Sequence, residues 1–84
     1  MSDDGSVMRS EVVDVLERNG AEISPDPNQA DMFLVVKGEV VEVIALPERC
    51  RRQLVRYLSR KFTTPIHHFY NPLMAPRRPG EPIQ

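Results

Sequence analysis

Cysteine is nearly missing from this chain, with Cys50 as the only one. A single thiol excludes an intramolecular disulfide and a thiolate-rich zinc site, and it fits a reducing compartment. Tryptophan is absent and aromatic residues make up only 6% of the 84 residues. A chain this short builds one modest core and sits near the lower edge of independent stability. No apolar run approaches the ~20 residues of a membrane span. The opening stretch MSDDGSVMRS is acidic and polar, where a signal peptide is basic and then apolar. These absences lead us to expect a cytoplasmic protein with no membrane segment. The sequence also lacks a P-loop, a dinucleotide fingerprint, a metal-ligand cluster and any nucleophile-base-acid set. We therefore expect no cofactor, no metal and no self-contained active site.

Charge is present in quantity but is unevenly placed. The formal net charge is −1, yet residues 1–46 carry three Arg/Lys against ten carboxylates, a net −7, and residues 47–84 carry eight against two, a net +6. Such asymmetry points to an anionic partner or to self-association.

The segment SVMRSEVVDVLERNG places Met8, Val12, Val15 and Leu16 on one helical face, which predicts an amphipathic helix stopped by Asn19-Gly20. Either Ser6 or Ser10 is expected to cap its start. After Gly20 a short edge strand is expected, ended by Pro25 and Pro27. The stretch MFLVVKGEVVEVIAL gives two β-branched runs around Lys37-Gly38, a hairpin signal, with Val41, Val43 and Ala45 alternating against Glu42 and Ile44. Met32 to Val36 is apolar on both faces, which suits a central strand.

A second helix is expected from Pro47, whose missing N–H costs nothing in a first turn. At 100° per residue it would gather Cys50, Leu54, Tyr57 and Leu58 on a buried face, with Arg49, Arg52, Arg56 and Arg60 opposite. Those arginines would form a stripe about 17 Å long at 1.5 Å per residue. Residues 63–84 hold five prolines and cannot sustain a regular element. The organisation expected is therefore a disordered stretch at 1–5, one α+β domain at 6–70 and a Pro-rich, largely disordered tail at 71–84.

The order of elements is α-β-β-β-α, with a small antiparallel sheet and both helices on one face. From Arg9 to Phe62 the chain resembles the HicA-type toxins, messenger-RNA-cleaving ribonucleases with a double-stranded-RNA-binding-like fold. The resemblance rests on the helix ending VLERNG, the strand MFLVV, and the valine-rich strand that reaches Pro47 before LVRYL. It implies RNA as a ligand; the toxins themselves are neutralised by a partner antitoxin. The family's catalytic Gly-Ser-His element falls here at Asn28, Gln29 and Ala30, and the Gly-Thr of its second helix at Arg52-Gln53. Alanine can neither give nor take a proton, so the resemblance implies a catalytically silent relative.

The arginine stripe suits phosphates or carboxylates, because guanidinium groups bind both with fork geometry. The blander readings are a solvated helix face and internal pairing with the acidic first helix. His67-His68 on an extended chain would point to opposite sides and cannot easily chelate one ion. His68 and Tyr70 beside a basic helix are candidates for stacking on unpaired bases. Cys50 reads as an inert core thiol. The sequence therefore supports a non-catalytic binding domain whose surface comprises Arg49, Arg52, Arg56, Arg60, His68 and Tyr70, with RNA as the first candidate ligand. The alternatives are a homodimer or an acidic protein partner, and a HicA-like ribonuclease working through His67 or His68.

Overall fold

The first helix, α1 (Arg9–Arg18), buries Val12, Val15 and Leu16 completely, the spacing that its apolar residues predict. The structure, a computed structural model, describes residues 5–76; of the stretches 1–5 and 71–84 expected to be disordered, residues 1–4 and 77–84 lie outside them. No serine caps α1. Its N-cap is Met8, in extended conformation, and the Arg9 N–H is taken by the Glu48 carbonyl at 2.9 Å. The cause is a two-residue bridge in which β1 (Val7–Met8) pairs antiparallel with β5 (Arg49–Cys50). The C-terminus ends at Gly20, φ +101°, with Ala21 N–H bonded to Leu16 O and Gly20 N–H to Glu17 O. This is a Schellman closure, and Gly20 accepts the left-handed conformation without a Cβ penalty.

Three antiparallel strands follow in the order β2 (Glu22–Pro25), β3 (Met32–Lys37), β4 (Val40–Ala45). The central position of β3 is as expected, and Pro25 closes the β2 edge. Gly38 and Glu39 make the hairpin loop, and Gly38 has φ +60°, as in the turns whose twist matches paired strands. One sheet face, with Ile23, Phe33, Val35, Val40 and Ile44, packs into the single core with α1 and the second helix. Although β3 is apolar on both faces, only that face is covered. Leu34 is 40% exposed, Val43 55% and Val41 61%.

The second helix, α2, runs over Arg52–Lys61 and does not begin at Pro47. Pro47 and Glu48 are exposed, while Arg49 and Cys50 are drawn into the bridge to β1. Cys50 is fully buried as expected, but it sits in a strand. The buried face of α2 is also rotated from expectation, because it is set by Val55 and Leu58 and continued by Phe62. Leu54 is partly buried against the core, and Tyr57 lies at the rim, 42% exposed. A short helix, α3 (Ile66–Tyr70), then returns to the domain and buries Phe69, and a 3-10 turn follows at Pro72–Met74. Among the described residues no helix is long and apolar enough to cross a membrane.

Candidate interface for an anionic partner

Helical periodicity puts Arg52, Arg56 and Arg60 at successive four-residue steps on α2, within about 80° of one another and opposite Leu58. All three are exposed, and they span about 12 Å at 1.5 Å per residue. The stripe is shorter than a helix beginning at Pro47 would give. Arg49 is off it, on β5, exposed and bonded to Ser6 Oγ at 3.4 Å. Arg51 stands at the N-cap of α2, also exposed, and the first turn of that helix holds no acidic residue.

Among the described residues, Arg51, Arg52, Arg56 and Arg60 have no ion pair. The cations that are paired lie elsewhere. Arg18 Nε meets Asp14 at 3.0 Å within α1, and Lys61 Nζ meets Glu42 at 3.3 Å. The acidic face of α1 therefore does not neutralise the stripe. With these cations unpaired among the described residues, α2 presents a positive surface.

Tyr70 comes close to this surface through the chain's first described residue. Its hydroxyl donates to the Gly5 carbonyl at 2.6 Å. Gly5 has φ +84°, and a Cβ there would lie 3.3 Å from Arg52 Cδ, so the Arg52 stem rests on the Gly5 backbone. The structure therefore joins Arg52 and Tyr70 at Gly5, with Arg56 and Arg60 continuing along α2.

His68 is turned to α1. Its Nδ1 lies 3.3 Å from Asn19 Nδ2, which also donates to the Val15 carbonyl at 2.9 Å. A neutral Nδ1 accepts that amide proton, and a protonated one would set donor against donor. Burial lowers the His68 pKa, and the neighbouring His67 adds to the effect. The two rings meet edge to face at 4.7 Å within a helix, not an extended segment. Because the folded pKa is depressed, the unfolded chain takes up this proton first as pH falls. The stability contributed by neutral His68 is thus complete above the unfolded value near 6.5 and declines as pH drops below it. We expect His68→Gln, which keeps an acceptor for Asn19, to flatten the fall in melting temperature between about pH 7 and pH 5 relative to the parent. Parallel curves for the two proteins would show that His68 is not the group responsible.

The remaining chemistry is sparse. Ala30 is exposed in the turn before β3. A shallow depression of ≈ 370 Å³ at the end of α2 is lined by Ser59, Arg60, Thr63, Thr64 and Pro65. Its Ser59 and Thr64 hydroxyls donate to the carbonyls of Thr64 and Phe62, which leaves Arg60 as its charged group. Among the described residues, no group of three His, Cys, Asp or Glu side chains is placed to hold a metal ion. Burial pushes the Cys50 thiol pKa up, which disfavours the reactive thiolate.

Sequence reasoning missed the polar cluster that joins α2 to β4. Glu42, on the core-facing side of β4, accepts from the Tyr57 hydroxyl and pairs with Lys61. Tyr57 holds the Glu42 pKa below its usual value, helped by Lys61, while the carboxylate raises the Tyr57 pKa. A lone carboxylate in an apolar strand, facing a helix with Tyr and Lys four residues apart, was the available signal. This cluster orients α2 on the sheet and leaves its arginines outward. Compared with known proteins, the chain matches no family model, no curated protein and no solved structure.

Proposed function

We propose that this domain is a non-catalytic binding module that grips the phosphate backbone of RNA through Arg52, Arg56 and Arg60, flanked by Arg51. The observation that carries the reading is that these arginines are exposed and, among the described residues, free of ion pairs. Guanidinium groups at one-turn spacing suit successive phosphates. The α-β-β-β-α order and the resemblance to HicA-type toxins favour RNA as the source of those phosphates. Exposed Tyr70 beside Arg52 supplies an aromatic ring on which an unpaired base can stack.

Binding of a short single-stranded RNA should weaken steeply with salt, with a log-log slope of about −0.7 per phosphate contact, hence roughly −2 for three arginines. Arg52→Gln with Arg56→Gln should flatten that slope by about 1.4 and leave the circular dichroism spectrum unchanged. An acidic peptide is the control for the rival protein partner. No RNA affinity at ~50 mM salt, where electrostatic attraction is least screened, with tight binding of the peptide, would transfer the surface to that partner.

A further inference from the structure

The two edges of the sheet are treated very differently. β2 carries Glu22 and ends in Pro25, both common ways of discouraging further strand pairing. β4, the other edge, holds no proline, and its one charge, Glu42, lies on the core-facing side, where Tyr57 and Lys61 satisfy it. Its two-residue loop makes Lys37 and Val40 the hydrogen-bonded closing pair of the hairpin. In an antiparallel ladder the alternate residues then turn their N–H and C=O groups outward. Those residues are Val41, Val43 and Ala45, all exposed and uncharged. They are paired in register with Val36, Leu34 and Met32 on the same open face, so a row of outward-facing backbone groups, without a strand partner among the described residues, runs beside an apolar strip.

We propose that this edge binds a second copy of the chain by antiparallel β4–β4 pairing centred on Val43. The edge matches itself with the most hydrogen-bonded pairs in one register. Opposed residues in an antiparallel pair share a face, so the two open faces merge only when outward residues meet outward residues. Centring on Val43 sets Val43 against Val43 and Val41 against Ala45, which gives three hydrogen-bonded pairs and apolar cross-strand contacts. Shifting the centre to Glu42 leaves two such pairs and sets Glu42 against Glu42, a like-charge clash. Charge also selects the occupant. The outward residues hold no charge, and Glu42 is already satisfied by Tyr57 and Lys61 of its own chain. A charged peptide gains nothing there, whereas a copy supplies the same neutral strip and the same backbone groups.

The two-fold axis stands perpendicular to the sheet. The product is a continuous six-stranded sheet with all helices on one side, so the two arginine surfaces face the same way. The pairing itself does not use the arginines and stands whether or not RNA binds. One strand edge falls below the ~1,200 Å² of a standard interface, so the dimer belongs to the weak, micromolar class.

Sedimentation velocity on the full chain from about 5 to about 300 µM should show a monomer giving way to a dimer in that affinity range. Val43→Lys should remove the dimer, because it sets two cations together on the axis, and Val43→Thr should retain it. Opposed residues in a hydrogen-bonded pair are about 5.5 Å apart between Cα atoms, within disulfide reach. Val43→Cys should therefore cross-link to itself under mild oxidation, whereas Val41→Cys should need Ala45→Cys as its partner. Cys50 is buried and does not compete. A monomer at every concentration overturns the proposal, as does a dimer that survives Val43→Lys. Val41→Cys cross-linking alone as readily as Val43→Cys also overturns it. If Val43→Lys does not fold, the cysteine pattern decides.

Discussion

Phe62→Ala is expected to cost about 3–5 kcal/mol, the range for emptying a core aromatic site. For a domain of this size that corresponds to a fall of well over 10 °C in melting temperature, at roughly 4–8 °C per kcal/mol. Phe62 is 1% exposed and closes α2, where its N–H bonds to Leu58 O at 3.0 Å. Its carbonyl accepts from Lys37 Nζ at 2.7 Å and from Thr64 Oγ1 at 3.1 Å. Alanine keeps those backbone bonds, so the loss reports the ring alone. Small domains hold about 5 kcal/mol or little more in total, and one ring is a large share of that. By contrast, Arg56 is exposed and has no ion pair among the described residues, so Arg56→Gln should move stability by no more than about 0.5 kcal/mol. Urea denaturation of the two variants therefore separates the scaffold of α2 from its charged surface. A cost below about 1 kcal/mol for Phe62→Ala would mean that the core closes over the gap and that α2 is held by something else.

The contrast also shows what the sequence could reveal. Val12, Val15 and Leu16 repeat with helical period, and Asn19-Gly20 marks the stop, so α1 was legible from local pattern. The Lys37-Gly38 signal and the β-branched runs likewise placed the hairpin and made β3 central. The start of α2 was not legible, because Arg49-Cys50 pairs with Val7-Met8 across some forty residues and two residues have no period to detect. Starting the helix at Pro47 then carried Cys50 into the helical face and rotated the expected buried face toward Tyr57. Once Cys50 is assigned to a strand, Val55, Leu58 and Phe62 become the buried series and the arginines shrink to three on the helix.

The candidate site was partly legible for the same reason. Arg52, Arg56 and Arg60 keep their mutual spacing in any register, so their common exposure survived the error in the helix start. His68 did not stay with them, since its place depends on how α3 folds back and offers Nδ1 to Asn19. The phase of β4 was also hidden. Alternation is visible in VVEVIA, but that Glu42 points inward follows only from its contacts with Tyr57 and Lys61 on a distant helix.

Arg9→Ala should cost about 2 kcal/mol, the second large effect, although Arg9 belongs to the acidic half of the chain and drew no attention as a sequence feature. Its Nη1 donates to Asp31 Oδ1 at 2.5 Å and to the Leu46 carbonyl at 2.9 Å, and the guanidinium lies 5.7 Å from the Phe33 ring centre. Two contributions compete here. The ion pair is partly solvated, with side chains 29% and 56% exposed, and such pairs are worth about 0–1 kcal/mol. The bond to Leu46 is different, because Leu46 is fully buried and leaving a buried carbonyl without its donor costs about 1–3 kcal/mol. The Leu46 N–H is meanwhile held by the Asp31 carbonyl at 2.7 Å, so Arg9 closes a loop that joins α1, the turn before β3 and the end of β4. The carbonyl should dominate. Asp31→Asn, which removes only the charge, should therefore cost less than about 1 kcal/mol, and Arg9→Lys should recover part of the loss by keeping a donor within reach. If denaturation showed Asp31→Asn to be as damaging as Arg9→Ala, the ion pair would be the stronger contribution and the buried carbonyl a minor one.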